Sequence, residues 1–203
     1  MYAESLLDIA MVHLDPLIDK AKTGDQYAFE KLVNLWYKRI YNFGYKYFGD
    51  HDLAMEVTQK TFITIHKKIS SLKETGKFKP WLYKIASNYC HEEERKRKKE
   101  QLNISKDYQE SDNQRIESEF NPDKKLQQAE LSEILLMALN EINQEQRAVV
   151  IMKEYEGLKF YEIAEILEIS ENTVKSRMYY GLGALKKVLD KKNVNKNTVY
   201  YEL

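Results

Sequence analysis

Residues 160–192 read FYEIAEILEISENTVKSRMYYGLGALKKVLDKK, and this stretch decides the fold. Within 160–167, Ile163, Ala164, Ile166 and Leu167 fall at helical spacing and share one face. Glu168, Ile169 and Ser170 make a three-residue turn, with Ile169 plugging the space between two helices. Ser170 is a good N-cap, and Glu171 suits the positive end of the helix that follows. That second helix, over about 171–192, turns Val174, Met178, Leu182 and Leu185 inward. Asn172, Lys175, Ser176, Arg177, Tyr179 and Tyr180 lie on its outer face. The small side chain of Ala164 lets the second helix cross the first closely. Spacing, turn length and cap predict a helix-turn-helix, a motif whose second helix enters the DNA major groove. Six basic and two acidic residues in 171–192 leave a local charge of +4, a source of phosphate contacts. An ordinary helical hairpin with a solvated basic face would share this pattern.

Two more amphipathic helices are predicted upstream of the motif, over 126–139 and 144–155, and Asn121-Pro122-Asp123 punctuates their start. Residues 100–123 hold seven acidic and two basic residues, a net charge of −5, with few apolar ones. They read as a mobile acidic linker. Residues 24–99 form a second, aromatic-rich block. Phe29, Leu32, Val33, Trp36, Ile40, Phe43 and Tyr47 line one helix face. Gly49-Asp50 ends that helix, and Asp52 can cap the next, marked by Leu53, Val57, Phe62, Ile65 and Ile69. Residues 70–79 read as a loop, and Pro80 sits in the first turn of a third helix. This helix buries Trp81, Leu82, Ile85 and Tyr89 and ends in the basic run Arg95-Lys96-Arg97-Lys98-Lys99. Residues 1–23 are read as an N-terminal extension, and 193–203 as a polar tail.

Composition agrees. Only 7 glycines and 3 prolines in 203 residues argue against an all-β chain, so an all-α fold of two small helical domains on a flexible linker is expected, the C-terminal one (124–192) holding the helix-turn-helix. Lys plus Arg and Asp plus Glu both number 32, so a polyanion site must come from local segregation of charge. Cys90 stands alone, which excludes an intramolecular disulfide and points to a reducing compartment. No apolar run reaches the roughly 18 residues of a membrane span, and no membrane insertion is expected. Glu4 and Asp8 in a start without a basic n-region do not make a secretory signal, so a cytoplasmic protein is expected. Cys90, His91, His66 and His51 lack metal-site spacing, and no phosphate loop or nucleophile motif occurs. No catalytic residue, cofactor or metal is therefore expected.

Three runs carry a resemblance. They are Ile142 to Arg147, Glu156 to Ala164 and Thr173 to Arg177. Together they resemble the promoter-binding C-terminal domain of bacterial sigma factors. Residues 28–32, 56–62 and 78–88 resemble the N-terminal core domain of the same proteins. Order, spacing and length are similar to those of the two-domain extracytoplasmic function group, over roughly residues 24–189. The resemblance implies a chain without catalytic chemistry that binds core RNA polymerase and promoter DNA, commonly under an anti-sigma factor. It implies polymerase contacts at Asp52, Glu56, Gln59 and Phe62. It implies proximal-element contacts at Lys77, Lys84, Asn88, Arg95 and Arg97, with a flipped base held against the loop 71–77 and Asn88. It implies distal-element contacts at Asn172, Lys175, Ser176, Arg177, Tyr179 and Tyr180. Trp81, on the apolar stripe, reads as core.

The chain departs from the family pattern at several points. Asn143 stands where many members have Pro, and Glu168 where Gly is usual in the turn. If that position is left-handed, Glu is disfavoured there. Met178-Tyr179-Tyr180-Gly181-Leu182-Gly183 replaces further arginines, with two glycines that weaken a helix. Ala54-Met55 stand where acids are common. A stand-alone DNA-binding regulator would use the same C-terminal motif but leaves the aromatic block and its basic helix unexplained.

Overall fold

The computed structural model describes residues 14–104 and 124–192, with side chains described for 14–100 and 131–192. The predicted linker, apart from 100–104, and the tail 193–203 lie outside the described residues. Among the described residues all regular structure is helical. The first module holds α1 (Leu14–Lys22), α2 (Gln26–Phe48), α3 (His51–Lys68) and α4 (Phe78–Ile104), with 3-10 turns at Ile69–Ser71 and Thr75–Lys77 before α4. The second holds α5 (Lys124–Glu141), α6 (Gln144–Val150), α7 (Phe160–Leu167) and α8 (Glu171–Lys191), with a π-helical turn, Ile151–Tyr155, extending α6.

The core of the first module follows the predicted stripe. Leu32, Trp36, Ile40, Phe43 and Tyr47 of α2 are buried and meet Val57, Ile65, Leu82 and Ala86 of α3 and α4. Each large apolar side chain so buried contributes about 1.5–3 kcal/mol. Tyr83 is fully buried, edge-on to Phe43 with ring centroids 5.6 Å apart. Trp81 is only half-buried against this core. Two corrections concern boundaries. Residues 1–23 are not all extension, because α1 docks on α2 and buries Ile18 completely. Its signal was the helical spacing of Leu14, Leu17, Ile18 and Ala21. And α3 is capped by Asp50, not Asp52: the Asp50 carboxylate accepts from the N–H groups of Asp52 (2.9 Å) and Leu53 (3.1 Å). Gly49 reverses the chain at φ 66°, so Asp50 is the first residue free to cap.

In the second module Ser170 caps α8, accepting from Thr173 N–H at 3.0 Å, and Asn143 caps α6, accepting from Glu145 N–H at 2.8 Å. The Asn at the family's Pro position thus starts the helix by a side-chain bond instead. Glu168 takes the left-handed conformation, φ 55°. Leu182, expected inside, is exposed. The inward positions of α8 run Val174, Met178, Gly181, and at Gly181 a Cβ would lie 3.0 Å from Val150 Cγ2 and 3.2 Å from Gln146 Cβ. Gly181 is where α8 crosses α6; Gly183 has open space.

The two modules pack on each other and share a continuous apolar core. The Arg147 guanidinium pins the seam. Its Nη1 donates to the Tyr47 carbonyl of α2 (2.8 Å) and to Asn140 Oδ1 (3.2 Å). Its Nη2 donates to the carbonyls of Asn140 (3.0 Å) and Ile142 (3.2 Å). It also lies 5.3 Å from the centre of the Tyr47 ring. Beyond it the Tyr83 hydroxyl donates to the Glu156 carboxylate, and Lys79 Nζ reaches the Glu156 carbonyl at 3.4 Å. Burial lifts the Glu156 carboxyl above its ordinary range, against the Tyr83 hydroxyl and the cations of Lys46, Arg39 and Lys79.

Gly183→Ala should raise stability by about 1 kcal/mol, because helix propensity improves without a clash. Gly181→Ala should gain none of this, because Val150 and Gln146 must move; denaturant titration of both variants checks the contrast. A second expectation concerns pH. A raised native pKa means that the Glu156 contribution is complete below the unfolded value of about 4.3 and is lost as pH rises through the native one. The stability of the wild type relative to Glu156→Gln should therefore fall as pH rises above the unfolded value, and a difference that stays flat with pH would refute it.

Candidate nucleic-acid and polymerase interfaces

The outer face of α8 forms as a row of exposed groups. Asn172, Lys175 and Ser176 are exposed, Tyr179 is 75% and Tyr180 62% exposed, and the two tyrosine rings meet edge-on at 5.5 Å. Lys175 Nζ lies 2.8 Å from Glu171 one turn back. Arg177 is set apart from this row. Its Nη2 lies 2.6 Å from Glu145 Oε2 and the side chain is only 24% exposed, so the guanidinium ties α8 to the start of α6. Tyr161, on α7, is also exposed, with Lys159 Nζ 5.7 Å from its ring centre. Helical periodicity marks it as polar-side but gives no reason to single it out.

On the first module Asn88, Arg95 and Arg97 are exposed along α4. Asn88 and Arg95 line a polar cleft of about 590 Å³ with Lys98, His91, Gln144 and Glu145, the last two from the second module. The acids Glu92-Glu93-Glu94 precede the basic run and partly neutralise it, Glu93 lying 3.9 Å from Lys96 Nζ. Glu93 is 3% exposed and lies 2.5 Å from Lys60 Nζ. Glu94 accepts from the Tyr47 hydroxyl at 2.9 Å and pairs with Lys98 at 3.3 Å. Lys77 and Lys84 are not free. Lys77 Nζ lies 2.7 Å from Glu165 Oε1, and Lys84 Nζ lies 2.6 Å from Glu168 Oε1, both acceptors from the helix-turn-helix.

The face of α3 carries Asp52, Glu56 and Gln59, with Glu56 Oε1 2.7 Å from Lys60 Nζ. That ammonium holds the Glu56 carboxyl below its ordinary range. Phe62 needs correction as a presented group: it is 8% exposed and its ring is stacked with Tyr37 at 6.1 Å. Its spacing to Val57 and Ile65 had already put it on the apolar stripe. The exposed apolar groups on the face are Met55 and Ile63, four residues to either side of Gln59. Cys90 is buried, His51 bonds Tyr41, and His66 stands edge-on to Phe29 at 4.8 Å. Among the described residues no three His, Cys, Asp or Glu side chains are grouped to hold a metal ion. None of the described helices is long and apolar enough to cross a membrane.

Comparison with known proteins bears on both modules. The family described as Sigma-70 region 2 matches residues 32–100, and Sigma-70, region 4 matches residues 132–185. The ECF RNA polymerase sigma factor SigW of Bacillus subtilis is 30% identical over 177 residues, covering 85% of this chain and 94% of that protein. The ECF RNA polymerase sigma-E factor of Haemophilus influenzae is 26% identical over 182 residues, covering 87% and 92%. Among solved structures, CnrH in complex with the cytosolic domain of CnrY aligns with a TM-score of 0.64 at 18% identity, over 88% of this chain and 97% of that one. RpoE of Bartonella quintana in complex with the anti-sigma factor NepR aligns at 0.62 with 23% identity, over 80% and 96%. These two likenesses bear on the fold alone. The match to SigW over 94% of that protein, with the two Sigma-70 regions matched in order, places the chain in the extracytoplasmic function family of RNA polymerase sigma factors.

Proposed function

We propose that the first module, residues 24–99 with α1 added, binds core RNA polymerase through α3 and the proximal promoter element through α4. In the same reading the second module, residues 124–192, binds the distal element through α8. The chain supplies recognition, and the chemistry of RNA synthesis belongs to the polymerase. Residues 100–123 act as the tether, and the chain works in the cytoplasm under an anti-sigma factor. The observation that carries the reading is the pairing, on one chain, of an exposed polar and aromatic recognition helix with a separate helix presenting Asp52, Glu56 and Gln59 beside Met55 and Ile63. A mixed face of this kind suits specific docking, with charge setting register and apolar groups giving area. Asn88 supports base recognition at the proximal element, because an exposed amide offers both donor and acceptor to an unstacked base. The direct test is transcription from a randomised promoter library by core polymerase with and without the chain; no selection of start sites over core alone overturns the reading.

Two substitutions separate the roles. Asn88→Ala should lower initiation about tenfold, roughly one lost base contact, while polymerase affinity holds. Equal losses in both assays would mark Asn88 as structural. Glu56→Arg should weaken polymerase association about fivefold or more, because it sets a second cation beside Lys60 and reverses the charge offered to the partner. Co-elution with core polymerase reads this directly, and unchanged co-elution would remove Glu56 from the docking face.

A further inference from the structure

The seam between the modules lies over the surface read as the proximal-element site. Helix α7 packs on α4, and Glu165 and Ile166 of α7 close a cleft of about 190 Å³ over Leu72, Pro80 and Trp81. Two lysines expected to hold phosphates, Lys77 and Lys84, are each bonded to a carboxylate of the helix-turn-helix, at 2.7 and 2.6 Å. We propose that in the free chain the helix-turn-helix module competes intramolecularly for the promoter strand, with Glu165 and Glu168 standing on Lys77 and Lys84 where phosphates would stand. The inference rests on the proximal-element reading of those lysines.

Glu168 strengthens the case. It holds the left-handed conformation at φ 55°, where Gly would relieve the backbone, yet the position carries a carboxylate that reaches Lys84 across the seam. No other described residue except glycine has positive φ. Both lysine–glutamate pairs are exposed, so each is weak, salt-sensitive and readily exchanged for a stronger polyanion. Closure is instead secured by the less exposed groups, buried Arg147 on the Tyr47 carbonyl and half-buried Glu156 on the Tyr83 hydroxyl. The division of labour is that of a gate: these contacts shut it, and exposed carboxylates occupy the charges that DNA needs. Because the chain as a whole is neutral, no bulk attraction offsets this local pairing.

Glu156 offers a way to open the seam without touching the recognition helix, since Glu156→Lys adds a cation among Lys46, Arg39 and Lys79. The full chain would carry fluorophores at Lys38→Cys and Lys187→Cys, both exposed, while buried Cys90 stays unlabelled. Energy transfer between them reads closure. Anisotropy of a labelled 20-nucleotide mixed-sequence single strand, with chain free of fluorophores, reads DNA binding. Glu30→Lys, an equal charge change on an exposed site away from the seam, is the control. Glu156→Lys should lower energy transfer and tighten strand binding about tenfold beyond Glu30→Lys. Glu165→Gln with Glu168→Gln should gain about threefold over the charge-matched pair Glu30→Gln with Glu133→Gln. Opened modules that bind the strand no better than the controls, or energy transfer unchanged in Glu156→Lys with control-level binding by both variants, overturn the proposal. Lys84→Gln in the polymerase-bound chain tells its failure from that of the underlying reading. Unimpaired promoter opening there removes Lys84 from the DNA site. Impaired opening, together with control-level binding by the opened free chain, removes only the masking.

Discussion

A buried guanidinium governs the arrangement of this chain. A cation taken out of water is costly unless hydrogen-bond acceptors surround it. Four carbonyl acceptors meet Nη1 and Nη2 of Arg147, and they come from three places: the end of α2, the end of α5 and the turn before α6. The Tyr47 carbonyl is one of the last in its helix and has no intrahelical partner, so a cation there also answers the negative end of the α2 dipole. The arginine therefore specifies more than it stabilises. Wherever α6 goes, the end of α2 must follow, or Nη1 loses its shortest bond.

The helix-turn-helix was legible because all its determinants are local. Periodicity within eight residues, a three-residue turn and a Ser cap define it, and α7 and α8 begin and end within a residue of the expected bounds. Local pattern failed where partners are distant in sequence. Gly181 reads as a helix weakener until Val150 and Gln146 are seen behind it. Nothing near Tyr83 in the sequence points to Glu156, 73 residues away, as the partner of its hydroxyl. Arg147 sits in a polar heptapeptide start with nothing to mark it as buried.

The candidate interfaces were legible in residue type and only partly in availability. Exposed positions of α8 and α4 followed from the helical wheel. What a wheel cannot show is which charges are already spent. Arg177 is held by Glu145, and Lys96 and Lys98 of the basic run lie against Glu93 and Glu94 one turn back. Counting charges along a segment thus overstates the cations available at both surfaces.

Cys90 carries a last consequence. Burial and the nearby Glu94 carboxylate raise its thiol well above the ordinary value, and no surface of the residue meets solvent. Peroxide and disulfide reagents act on accessible thiolates, and this sulfur is neither accessible nor ionised. The residue behaves as a small apolar filler within α4. Oxidants can then reach this sulfur only after the packing around α4 has come apart, so the folded chain offers them no thiol switch.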